Sequence, residues 1–280
     1  MSALRQLLRD PVAALGLFIV LFALAVAILA PWIAPYPDDA FESHILQRLR
    51  APSAEFPFGT DNLGRDILSR VILGTQNAIL VAVAVIGASM AIGVPMGLAA
   101  GWRDGWLSEG LMRVTDVFLA VPQLILALAL GQLLVPGIGT AMVALALTYW
   151  PFFARTVFAE TRRLRSSLFV DALAGIGAHP VRILLLHVLP NAAPAVLVRA
   201  TIGMGFTILT AAILGFLGVG AAPPAPDWGL AVAEARQHLP EAWWFATFPG
   251  LAIMLLVLGF NLLGDGLRDA ADPRLRRSRR

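Results

Sequence analysis

Side chains able to carry out chemistry are few in this sequence and poorly grouped. Cysteine is absent, so there is no disulfide framework and no thiolate metal site, and the redox compartment stays open. The four histidines, His44, His179, His187 and His238, lie far apart, with no HExxH motif and no i, i+4 pair to hold a metal. No GxSxG elbow occurs, and no pair of acids sits inside an apolar run as an intramembrane aspartyl protease requires. All 21 basic residues are arginine. A Walker A loop, whose lysine reaches the nucleotide phosphates, is therefore missing. The chain reads as a non-enzyme that binds no cofactor of its own. Asp116 and Glu160, near proposed helix ends, read as solvated termini.

Two polar features remain. One is the stretch 169–191, FVDALAGIGAHPVRILLLHVLPN, set between long apolar runs. Asp171 through Ala178 reads as a short helix with little side-chain bulk along Ala172, Ala174, Gly175, Gly177 and Ala178. Glycine is costly inside a helix, so two of them need a reason. A bare surface lets the backbone enter a groove on another protein; a plain interfacial loop is the alternative. His179–Pro180 turns the chain, because proline disfavours helix in the residue before it. The segment from Arg182 through Leu189 leads back toward lipid, and Pro190 and Pro194 bracket the next apolar run. The second feature is Arg199, inside that run. A guanidinium at mid-bilayer costs about 2.5–3.5 kcal/mol. It must snorkel to the headgroups, find an acid, or line a polar path.

The elements that position these residues follow from composition. With 58% hydrophobic and 14% charged residues in 280, the chain lacks the polar surface of a soluble domain, and a bilayer removes that need. The arginines are scattered over short loops and a tail, without one basic face or interleaved aromatics, which argues against nucleic acid. About 20 apolar residues cross the hydrocarbon core as helix. That length predicts six spans, near 12–33, 78–101, 112–135, 138–158, 192–219 and 245–264. Arg5 and Arg9 precede the first, whose run is too long for a secretory leader, so it is expected to be a retained anchor. Arg103, Arg113, Arg155, Arg162, Arg163, Arg165, Arg182 and the tail from Arg268 onward share one side with the N-terminus. The positive-inside rule then puts both termini in the cytoplasm.

Span two ends in GVPMGLAAG, with Gly93, Gly97 and Gly101 four apart on one face. Such a stripe permits close helix approach, within the bundle or against a partner subunit. In the loop of about 34–76, Ile67, Leu68, Val71 and Ile72 repeat at helical spacing opposite Arg65, Asp66, Ser69 and Arg70. This predicts a short helix on the membrane surface, either a plug over the bundle or a contact for a soluble partner.

The pattern Asp171-Ala172-Leu173, then Gly177, then Leu189–Pro190 resembles the EAA loop of ABC importer permeases. FGTDNLGRDILSRVILG (58–74), APDWGLAVAEAR (225–236) and FNLLGDGLRDAADPRLR (260–276) resemble the dipeptide/oligopeptide/nickel branch, in its second, C-type permease. The resemblance implies an all-α membrane protein, with the six transmembrane helices of the ABC type I importer permease fold. It implies a bacterial inner-membrane location, an N-terminal region 1–75, a core 76–268 with the coupling loop at 160–190, and a basic tail 269–280. It also implies four partners: a homologous permease, two ATPase subunits that hold ATP and Mg, and an extracytoplasmic substrate-binding protein. Function would be alternating-access import of di- or oligopeptides, with nickel or a nickel chelate as the alternative cargo. A self-sufficient secondary transporter or channel is the alternative of a different class. It would show mid-membrane acids or broken helices. Three residues depart from the family pattern: Asp171 stands where Glu is usual, Leu173 where a second Ala is usual, and Arg199 where an uncharged polar residue is expected.

Overall fold

The structure, a computed structural model, describes residues 7–8, 10–38 and 40–271. Arg5, Arg9, Asp39 and the tail beyond 271 lie outside the described residues, so the basic-tail assignment rests on sequence alone. Among the described residues ten α-helices follow in order: α1 Pro11–Ile33, α2 Ile67–Trp102, α3 Trp106–Ala120, α4 Gln123–Gln132, α5 Ile138–Arg165, α6 Leu168–Gly175, α7 Pro180–Ile183, α8 Leu189–Phe216, α9 Trp228–Ala235 and α10 Trp243–Ala271. No strand forms among these residues. Five helical runs are long and apolar enough to cross a membrane, and the α3–α4 pair, bent by 86°, makes a sixth.

Local sequence accounts for the helix starts. Asp10, Asp66 and Asp227 each cap a helix by accepting a backbone N–H, from Val12, Ser69 and Leu230 at 3.0, 2.8 and 2.8 Å. Pro11 and Pro180 occupy first-turn positions, where a missing N–H costs nothing. The bend between α3 and α4 falls at Val121–Pro122, where proline disfavours helix in the preceding residue. Non-helical backbone at membrane depth survives only where protein or water covers it.

Span two differs from expectation. The expected surface helix does not exist as a separate element, because Ile67 begins a single 36-residue helix that runs through residue 75 to Trp102. At 1.5 Å per residue that is about 54 Å, well beyond a hydrocarbon core of roughly 30 Å. Its first turns therefore project past the bilayer. Arg65, Asp66, Ser69 and Arg70 are buried rather than solvated.

Packing is densest between α2 and α5. The glycine stripe of α2 faces α5: a methyl on Gly97 would lie 2.6 Å from the Ala154 carbonyl, and one on Gly101 2.6 Å from Thr161 Cβ. A methyl on Gly93 would collide with the Trp150 carbonyl. Gly16 of α1 and Gly259 of α10 make a similar close approach. Gly97→Ala should therefore push two backbones apart, at about 1–3 kcal/mol. The check is thermal unfolding of the purified permease complex, with Gly87→Ala, whose methyl meets nothing within 4 Å, as the unaffected control.

Candidate functional site

The loop joining α5 to α8 is held by a small apolar footing. Val170 of α6, Ile183 of α7 and Val188 are buried against Leu164, Ala192 and Val196, with Leu173, Ala178 and Leu189 part-buried beside them. Leu173 thus packs inward. Beyond Gly175 the chain closes in a Schellman motif: the Ala178 N–H donates to the Leu173 carbonyl at 3.0 Å and the Gly177 N–H to the Ala174 carbonyl at 2.9 Å. Gly177 takes φ +81° there, outside the helix, so the expected helix over 171–178 is corrected to Leu168–Gly175. The α7 start is capped by His179, whose Nδ1 accepts from the Val181 N–H at 3.3 Å, with Pro180 next.

The outer side of this loop is apolar and open. Leu168 is 86% and Ile176 81% exposed, with Phe169, Val181, Leu185 and Leu186 beside them. Asp171, Ala172, Gly175, Gly177, His179, Pro180 and Pro190 are exposed too, and a methyl added at Gly175 or Gly177 would meet nothing within 4 Å. The footing is braced from the α2–α3 turn. Asp104 accepts from Arg162 and pairs with Arg165 at 2.8 Å, and the hydrogen bond from Arg165 holds its carboxyl below the usual range. Glu160 pairs with Arg163, and Asp116 with Arg155, both pairs partly exposed.

Arg199 sits on α8, midway along the helical run Pro180–Phe216. Its guanidinium carbon lies 4.7 Å from the centre of the Phe152 ring and 6.0 Å from that of Tyr149, both on α5. Its Nε is buried without a hydrogen-bond partner, while the residue as a whole is part-exposed.

A third cluster, at the opposite end of the bundle, was not anticipated from sequence. Asp61 accepts from the Arg65 and Leu63 N–H groups at 2.9 and 2.8 Å and from Arg65 Nε at 2.6 Å. Arg65 Nη2 reaches Glu234 of α9 at 3.1 Å. Arg70 lies 3.6 Å from Asp61 and donates to the Ala40 and Pro224 carbonyls. Trp228 and Trp244 donate to the Val71 and Thr60 carbonyls. The loop, α2, α9 and α10 are thereby fixed to one another. The signal was the motif pair 58–74 and 225–236, whose opposite charges face each other.

Comparison with known proteins places this geometry in a family. The family model described as binding-protein-dependent transport system inner membrane component matches residues 93–277, and that of the N-terminal TM domain of oligopeptide transport permease C matches 1–52. The dipeptide transport system permease protein DppC of Alkalihalophilus pseudofirmus is 39% identical, over 98% of this chain and 90% of that one. The di/tripeptide permease DppC of Pseudomonas aeruginosa is 40% identical, over 93% and 88%. The glutathione permease GsiD of Pectobacterium atrosepticum is 41% identical, over 97% and 90%. An inward-facing structure of the MetNI methionine ABC transporter shares the fold, with a TM-score of 0.57 at 21% identity, covering 73% of this chain and 97% of that one. The broken third span, which a secondary transporter would also show, is thus found within an importer fold. The chain belongs to the binding-protein-dependent transport system inner membrane components, as a multi-pass permease subunit, a transport component, of an ATP-binding-cassette importer.

Proposed function

We propose that this chain carries di- or oligopeptides across the inner membrane, sharing the path with a homologous permease. An extracytoplasmic binding protein delivers the cargo, and two partner ATPases, which hold ATP and Mg, supply the energy. Both termini and the α5–α8 loop face the cytoplasm. Residues 171–180 enter a groove on an ATPase subunit, and Leu189–Pro190 leads the chain back into the bundle. Nucleotide-driven closure of the ATPases carries this loop, and the bundle pair rocks between two packings. The glycines of α2 serve packing within this chain, Arg199 lines the path, and the N-terminal region 1–75 and the core 76–268 share α2.

The observation that carries the reading is the loop's outer surface. Exposed Leu168 and Ile176 flank a bare backbone at Gly175 and Gly177, on a footing buried in the bundle. Apolar side chains left open on a loop between two spans call for a partner. The relatives' names favour peptides over nickel as cargo. Uptake of radiolabelled dialanine and of nickel, in cells with and without the gene, tests that choice. Loss of dialanine uptake with unchanged nickel uptake is expected. The reverse pattern would overturn the peptide assignment.

A further inference from the structure

We infer that Arg199 is a transit seat for a carboxylate of the cargo, formed with Phe152 and Tyr149 as its backing. The inference rests on the importer reading above and adds the chemistry of one contact in the path.

Depth comes first. Arg199 lies two to three turns into α8, inside its apolar run, and the rings under its guanidinium belong to the middle of α5. A side chain snorkelling to the headgroups would leave the rings at this level. Charge comes next. Among the described residues Arg199 has no ion pair, and its buried Nε lacks a hydrogen bond. A cation within a membrane span without a counter-charge is costly, so its place calls for a partner outside this chain.

Shape then selects the partner. The Phe152 ring backs the guanidinium carbon at 4.7 Å. Among the described residues the two Nη groups have no hydrogen-bond partner, and that edge of the planar fork matches a carboxylate bidentately. Phe206, half-exposed, lies 6.1 Å from Tyr149 and extends the aromatic wall. A peptide presents a C-terminal carboxylate and apolar side chains, and this wall with one open cation suits both. A single charge-assisted contact holds cargo without trapping it, as a conducting path requires. An acid on the partner permease is the competing occupant.

The cysteine-free sequence makes Arg199→Cys a clean probe in the assembled complex. Two membrane-impermeant methanethiosulfonates are compared, one attaching an ammonium and the other a sulfonate, with modification of this chain read by mass spectrometry. Uptake of dialanine by proteoliposomes should fall at least about tenfold in the unmodified variant, with no change in the abundance of the complex. The ammonium adduct should restore uptake, the sulfonate adduct should not, and dialanine presented on the binding protein should slow labelling. Absence of labelling in every nucleotide state, equal uptake with both adducts, or uptake in the variant equal to that of the parent would overturn the inference. So would labelling of the isolated chain but not of the assembled complex, which assigns Arg199 to the partner permease. If the parent complex takes up no dialanine, the peptide reading has failed, and labelling by the impermeant reagents still decides whether position 199 faces a water-filled path.

Discussion

Ile176→Asp is expected to leave the permease folded in the membrane and to abolish ATP-driven uptake. Ile176 is 81% exposed and touches no part of the core, so the change has little to act on within this chain. In a docked complex the same residue would carry a carboxylate into an apolar contact without a partner. Losses of about 2–4 kcal/mol are usual at central interface positions, which is tenfold or more in affinity. Asp171→Arg, a charge reversal on the same exposed side, and Gly175→Trp, which fills open space, should act alike. Gly177→Trp is a poorer test. At φ +81° any side chain strains the Schellman turn, so lost coupling and local misfolding would look the same. The readouts are co-purification of ATPase subunits with the tagged chain and the ratio of ATP hydrolysed to cargo moved. Normal values for all three variants would remove the loop from the coupling route.

Asp61→Ala is expected to destabilise the fold more than Gly97→Ala or any of the loop substitutions. Asp61 is fully buried and accepts from two backbone N–H groups and Arg65. Its removal leaves the Arg65 and Arg70 guanidiniums in the dry interior with Glu234 as the remaining acid near Arg65. Breaking a buried charge set by deleting one partner costs about 3–5 kcal/mol. The permease should melt earlier and reach the membrane in reduced amount. Glu234→Gln is the contrasting case, because glutamine keeps an acceptor for Arg65. Burial pushes the Glu234 carboxyl up, against the pull of Arg65 and Arg70. A carboxyl raised on folding favours the native state below the ordinary glutamate range and loses that contribution as pH rises through the raised value. Glu234→Gln should therefore flatten the fall in melting temperature from about pH 4 upward. Melting curves of both variants against the parent check this; an Asp61→Ala protein as stable as the parent would contradict the structural role given to the cluster.

The spans were legible because lipid-facing helices carry their signal in composition: a run of about 20 apolar residues needs no tertiary knowledge. The start of α2 was not. Arg65, Asp66, Ser69 and Arg70 repeat at helical spacing, as a solvated face would, and the partner that buries Arg65 is Glu234, far along the chain. Periodicity reports which residues share a face, and burial depends on what arrives there. Two other misses had local signals. Pro122 marks the break in span three, and Gly177 just past a short helix is the usual residue for a left-handed C-terminal cap. The smallness of Gly175 and Gly177 was legible, although Gly177 is set by its backbone conformation. The place of Arg199 within an apolar run could be read from sequence, but its surroundings could not, since Phe152 and Tyr149 come from another helix.

In the function proposed above, the chain supplies the path and the lever, and the energy comes from partners. Uptake of dialanine by proteoliposomes is the decisive measurement, with the chain alone and with its permease partner, ATPases and binding protein. Accumulation is expected only in the full assembly with ATP and Mg, and none is expected in that assembly when the chain carries Ile176→Asp. Accumulation by the chain alone, or ATP-driven uptake undiminished by Ile176→Asp, would contradict this division.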